Sequence, residues 1–176
     1  MPMMRPSAGL IVAALALLAG VTALSASSAD RRTVPCGQSI ASTRFPYFGS
    51  SRPENRYRQV LGVVAVPPAF MRQVVPIRQM PWAYWRKQGL VVSASGKAVT
   101  VTVPKTWRRQ AAITWGNGIR PVSSLRIEGC HTSAGVGYAY AGGFLLRSPS
   151  ACVPLIFSVG SRSATVRFGV GQRCHR

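Results

Sequence analysis

The chain has 176 residues and carries 22 lysines and arginines against 3 acidic residues and 2 histidines, a formal net charge of +19. So few acids and histidines leave little material for the carboxylate pairs, histidine bases or metal clusters on which hydrolytic chemistry relies. The same imbalance predicts attraction to polyanions within a Debye length of about 8 Å at physiological salt.

In chain order, the first element is an export signal. Arg5 leads into an apolar run over residues 9–26, and Ser27 and Ala29 stand at the −3 and −1 positions of a cut before Asp30. A positive start, an apolar middle and a small-x-small site define a secretory signal peptide over residues 1–29. The rival reading is a retained membrane anchor. A spanning helix needs about 20 apolar residues, whereas residues 9–26 supply 18, diluted by Gly20, Thr22 and Ser25. Arg31 and Arg32 would also sit on the outer side of such an anchor, against the positive-inside bias. No cysteine is present at the cut for lipid attachment. Cleavage removes 29 of the 176 residues and leaves 147, one domain in size. Arg5 goes with them, leaving 21 basic and 3 acidic residues, a net +18.

Residues 30–56 are polar and rich in arginine and proline, and read as an irregular arm held by Cys36. Residues 57–66 form the first strand, stopped by Pro67 and Pro68. Four prolines make residues 67–81 a long connection with at most one turn of helix. Residues 90–93 and 98–103 are expected to pair across a turn at Ser95-Gly96, with Val99, Val101 and Val103 inward. Residues 111–115 form a short strand closed by Gly116-Asn117-Gly118, and residues 124–128 alternate again. A strand over residues 138–146 is interrupted by Gly142-Gly143, a bulge or a close backbone approach. Residues 153–159 and 162–170 flank Gly160-Ser161 as a hairpin. No helical periodicity appears after residue 30. The pattern predicts an all-β domain over residues 57–176: a single β-sandwich, immunoglobulin-like in architecture, or a partly open barrel of seven to eight short antiparallel strands.

Cys36, Cys130, Cys152 and Cys174 form an even set, which in an oxidising compartment reads as two disulfides with three connectivities open. The expected pairs are Cys130–Cys152, a local loop, and Cys36–Cys174, tying the ends together. Cys130-His131 and Cys174-His175 invite a zinc site, but adjacent residues on a strand face opposite ways and zinc ligands keep wider gaps. No metal or other cofactor is expected.

Catalytic constellations are thin. A glycosidase would need Glu54 with Glu128 in one cleft; a serine hydrolase would need Glu128 and His131 without any Gly-x-Ser-x-Gly elbow. Gly135-Val-Gly137 lacks the Lys-Ser/Thr and the strand-then-helix setting of a phosphate loop. The cluster of most interest interleaves aromatic and basic residues: Trp82, Tyr84, Trp85, Arg86 and Lys87, echoed by Trp107, Arg108 and Arg109. Such a face stacks on sugars or bases while its cations meet phosphates, or sits at a membrane interface. The alternative is that the tryptophans cover an edge of the sandwich.

As a series, several segments resemble those of a family of uncharacterised small secreted, disulfide-containing proteins from high-GC Gram-positive bacteria. They are residues 81–92, beginning Pro-Trp-Ala-Tyr-Trp-Arg-Lys; Ile-Thr-Trp-Gly-Asn at 113–117; Tyr-Ala-Gly-Gly-Phe-Leu-Leu-Arg at 140–147; Ala-Cys-Val-Pro-Leu at 151–155; and residues 163–171 running to Cys174. The likeness spans residues 57–176 and implies an extracytoplasmic setting; it implies no activity, cofactor or catalytic residue.

The expected role is that of a non-catalytic, secreted or envelope-associated basic protein. Its partners are anionic wall polymer or lipid headgroups, with no specific nucleic acid. Membrane insertion is expected only through residues 9–26, were they retained in a tethered structural protein. An extracellular hydrolase using Glu128 and His131 is the alternative.

Overall fold

The computed structural model describes residues 31–49 and 56–175. The leader assigned to residues 1–29, and Glu54, lie outside the described residues. Within them the chain forms strands β1 (Arg31–Val34), β2 (Ala41–Arg44), β3 (Arg58–Val60), β4 (Val64–Val66), β5 (Phe70–Met71), β6 (Val75–Gln79), β7 (Trp82–Lys87) and β8 (Leu90–Ser93). There follow β9 (Val99–Thr102), β10 (Ala111–Trp115), β11 (Ser124–Ile127), β12 (Val136–Tyr140), β13 (Gly142–Leu146), β14 (Ala151–Val159) and β15 (Arg162–Val170). Two single 3-10 turns, Cys36–Gln38 and Lys105–Trp107, complete the described structure.

The strands assemble into three sheets, ordered β1-β11-β9-β14-β15-β5, β10-β13-β7-β6 and β2-β12-β8-β4-β3. None closes into a barrel, and the architecture is the expected disulfide-stapled β-sandwich. Alternation builds the core. Ala151, Val153, Leu155 and Phe157 of β14 are buried while the residues between them are partly exposed, because successive side chains leave a strand on opposite faces. Phe168 on β15 meets Phe144 on β13 at 5.4 Å between ring centroids, and Phe144 meets Trp115 on β10 edge-on at 5.5 Å. The first of these contacts joins the first sheet to the second, and the other extends it within the second.

The described residues form roughly twice the expected number of strands, and the additions have a common cause. The arm over residues 30–56 contains β1 and β2, and the connection over residues 67–81 contains β5 and β6. β1, β2 and β6 are exposed at most positions and β5 has only two residues, so none offers an alternation to read. The strand expected over residues 57–66 is instead the β3–β4 hairpin, turned at Leu61 and Gly62, both with positive φ (55° and 73°). Residues 90–93 and 98–103 do not pair. β8 lies between β12 and β4 with three successive buried residues, while β9 lies between β11 and β14 and alternates. Residues 138–146 divide at Ala141, β12 ending in one sheet and β13 starting in another. The pairing is also not wholly antiparallel, since β1 with β11 and β5 with β15 run parallel.

The disulfides are Cys36–Cys130 and Cys152–Cys174, which corrects both expected pairs. The parallel register Val34↔Ile127 carries the residues after β1 and β11 forward together, so Cys36 and Cys130 meet with Cα atoms 5.8 Å apart. The β14–β15 hairpin sets Cys152 opposite Gly169, and the chain then folds back until the Cys174 nitrogen stands 3.1 Å from where a Gly169 Cβ would be. No described cysteine is free.

Candidate functional site

The residues of β7 alternate between two faces. Tyr84, Trp85 and Arg86 pair with Leu146, Leu145 and Phe144 of β13. Phe144 and Leu146 are core residues and Tyr84 packs against that core, so Arg86 also projects from the inner face of its sheet. Trp85 and Lys87 leave from the outer face. The single aromatic–basic face expected from the sequence is therefore two faces of one strand.

Arg86 reaches a cleft of about 620 Å³ between β5 of the first sheet and β7 of the second, closed by connecting segments. β5 and its continuation supply Phe70, Arg72 and Gln73; the chain on either side of residues 50–55 supplies Tyr47 and Tyr57; the C-terminal segment supplies Arg173. Its volume is that of a small-ligand site.

The guanidinium is held in place. Nη1 donates to the Gln73 carbonyl at 3.0 Å and Nη2 donates to Gln88 Oε1 at 3.5 Å. Gln88 Nε2 in turn donates to the Tyr57 hydroxyl at 2.8 Å, and that hydroxyl donates to the Gly89 carbonyl at 3.1 Å. The backbone of Gln88 is pinned as well, since its carbonyl accepts from Trp115 Nε1 at 2.9 Å. Tyr57 meets Tyr47 edge-on at 5.0 Å, and the Arg173 guanidinium lies 4.8 Å above the Phe70 ring.

Arg86 Nε is buried and has no hydrogen-bond partner among the described residues. A guanidinium offers five N–H groups; two are engaged, Nε is sealed, and one further donor remains on each terminal nitrogen. Burial lowers the Arg86 pKa from its ordinary value, and burial raises that of Tyr57, so the site favours a tyrosine kept neutral beside a strained cation. Three arginines and no carboxylate line the cleft among the described residues. Chemically it can orient and neutralise an anion beside aromatic rings. It offers no described acid–base pair.

Of the other expected site residues, Trp107 packs partly buried against the core at a 3-10 turn, and Arg108 Nε donates to the Val103 carbonyl at 3.4 Å. Trp107, Arg108 and Arg109 take no part in the Arg86 cleft. His131 borders a separate cavity of about 420 Å³ with Ser93, Ser95, Thr132 and Ser133, and Glu128 is not among its lining residues. Among the described residues no cluster of three histidines, cysteines or acids could hold a metal. The sequence reading missed Tyr47, Tyr57, Gln73, Gln88 and Arg173. Their separation along the chain gave no local motif, and only Gln88, two residues from Arg86, was within range of one.

Comparison of the chain with family models, with curated proteins and with solved structures gave no match. Among the described residues no helix is long and apolar enough to cross a membrane. The two closed disulfides fit an oxidising, extracellular setting.

Proposed function

We propose that this protein is an exported, non-catalytic binding protein that holds an anionic group of an envelope polymer in the Arg86 cleft. The observation that carries this reading is the Arg86 guanidinium itself. It is half-buried, aimed into a cleft beside Arg72 and Arg173, and has no described carboxylate in the lining to neutralise it. A buried cation costs free energy unless it is paired, and an entering carboxylate or phosphate would supply the missing charge through strong, charge-assisted hydrogen bonds. Tyr47, Tyr57 and Phe70 add ring surfaces suited to a sugar. The leader sequence and the net charge of +19 support an address among anionic polymers.

The test is calorimetric titration with a polyglycerol-phosphate fragment, comparing Arg86→Gln with Arg162→Gln. Arg162 is an exposed cation at the start of β15 and lies outside the cleft, so its loss removes the same formal charge without touching the site. Arg86→Gln should weaken binding by about tenfold or more, the value of a charge-assisted contact, while Arg162→Gln changes it little. Equal losses in the two variants would mean diffuse surface attraction and no site.

A further inference from the structure

The outer face of β7 belongs to a second surface. Val75 of β6 stands opposite Trp85, Trp85 opposite Leu145 of β13, and Leu145 opposite Ala112 of β10, so one apolar row crosses the whole four-stranded sheet. Beside this row Ile77, Ile119 and Pro121 complete a shallow depression of about 360 Å³, with Arg120 on its lining. Leu145 and Ala112 are each only 3% exposed, so the row opens at its β6 end, where Val75 is 57% exposed and Met80, at the tip of the β6–β7 hairpin, is 92% exposed. Exposed Lys87, on the same face of β7 as Trp85, and Arg120, on the lining of the depression, adjoin it. Apolar patches rimmed by polar residues mark interaction surfaces.

Two kinds of occupant are disfavoured by features on the same face. Strand addition along β6 meets Pro76, which has no N–H, and a register shift between Pro76 and Gln79. A second copy would bring together two chains of net charge +19. A negatively charged bilayer answers both the charge and the apolar tip: tryptophan is favoured at the headgroup level, and basic side chains reach the phosphates.

We propose that this face docks onto an anionic lipid bilayer. Met80 and Val75 enter the boundary between headgroups and acyl chains, Trp85 lies at headgroup depth, and Lys87 and Arg120 meet lipid phosphates. The contact differs from the N-terminal insertion expected from residues 9–26, because it belongs to the folded domain. Arg86 lies on the opposite face of β7, so docking leaves its cleft uncovered, and the two readings stand or fall separately.

The test uses disulfide-closed protein from an exporting host. It is mixed with vesicles of phosphatidylcholine alone, or with about one third phosphatidylglycerol, some carrying brominated acyl chains. The protein should sediment with the anionic vesicles, and its tryptophan emission should be quenched there. Met80→Asp and Val75→Asp should each weaken partitioning by about tenfold while leaving the unfolding transition in place, as substitution of exposed side chains allows. Trp85→Phe should remove most of the quenching. Equal binding to neutral vesicles, or aspartate variants that bind like the parent, would overturn the proposal. So would a dimer in solution that Met80→Asp converts to monomer, because the face would then be a self-interface.

Discussion

Tyr140 shows how one buried hydroxyl sets a pH dependence. Its side chain is fully buried at the end of β12, with the hydroxyl 3.6 Å from Cys130 Sγ. Burial, with smaller contributions from Tyr138 and Glu128, pushes its pKa up to about 12. The unfolded chain ionises this group near its ordinary value of about 10. Below that pH both states are protonated and the stabilising contribution is whole; as pH rises through the folded pKa the unfolded state gains by ionising first, and the contribution is lost. The full swing is on the order of 2–3 kcal/mol. Urea unfolding of Tyr140→Phe should therefore match the parent closely at neutral pH and fall less steeply between about pH 10 and pH 12. Parallel decline of the two proteins over that interval would show that Tyr140 does not govern the alkaline limb. None of this was legible in the sequence, where Tyr140 was one position in a strand. The same holds for Arg86: the residue was singled out, but its separation from Trp85 onto another face required the register of β7 against Phe144 and Leu146.

At the scale of elements, the strands most legible in the sequence were those whose alternation reflects one buried face. β11 and the β14–β15 hairpin fall within a residue or two of expectation because Val153, Leu155, Phe157 and their neighbours alternate, whereas β10, buried at four of its five positions, was marked by the Gly116-Asn117-Gly118 turn that closes it. β8 and β9 were mispaired because alternation reports which face is buried and never which strand lies alongside. The glycine pair at residues 142–143 reads in the sequence as a bulge or a close backbone approach, and the structure shows two close approaches. A Cβ on Gly142 would collide with the Thr114 carbonyl, and one on Gly143 with the Arg86 carbonyl, both residues having strongly positive φ (154° and 153°). This pair lets β13 lie between β10 and β7 immediately after the chain leaves β12 for another sheet. Gly143→Ala meets backbone on an adjacent strand, which cannot swing aside as a side chain would. The substitution should cost several kcal/mol, on the order of 3 or more, seen as a large drop in the urea midpoint. It should also disturb ligand binding at Arg86 in whatever fraction still folds. A midpoint within experimental error of the parent would mean that β13 and β7 are more widely spaced than described.

For the whole molecule, the balance lies between a chain that repels itself and the staples that hold it. A net charge of +19 with 3 acids leaves few attractive ion pairs to offset repulsion, and compaction brings those like charges closer together. The disulfides act against expansion in unequal measure. Cys36–Cys130 spans 94 residues and locks β1, an edge strand, beside β11; Cys152–Cys174 spans 22 and only fastens the chain end to its own hairpin. The even cysteine count made two bridges legible, while the pairing depended on a parallel β1–β11 contact that an arm without alternation could not announce. In the chain-entropy view the longer loop contributes roughly 4.7 kcal/mol and the shorter roughly 3.4 kcal/mol. Replacing both cysteines of a pair by serine should then lower the melting temperature by roughly 15 °C for Cys36/Cys130 and roughly 10 °C for Cys152/Cys174. Added salt should recover part of either loss, because screening relaxes the repulsion that the staple was opposing. The comparison is made by calorimetry at low and high ionic strength. A smaller loss for Cys36/Cys130 than for Cys152/Cys174 would show that loop length does not set the stabilisation. Losses indifferent to salt would show that the positive charges lie far enough apart to leave one another undisturbed.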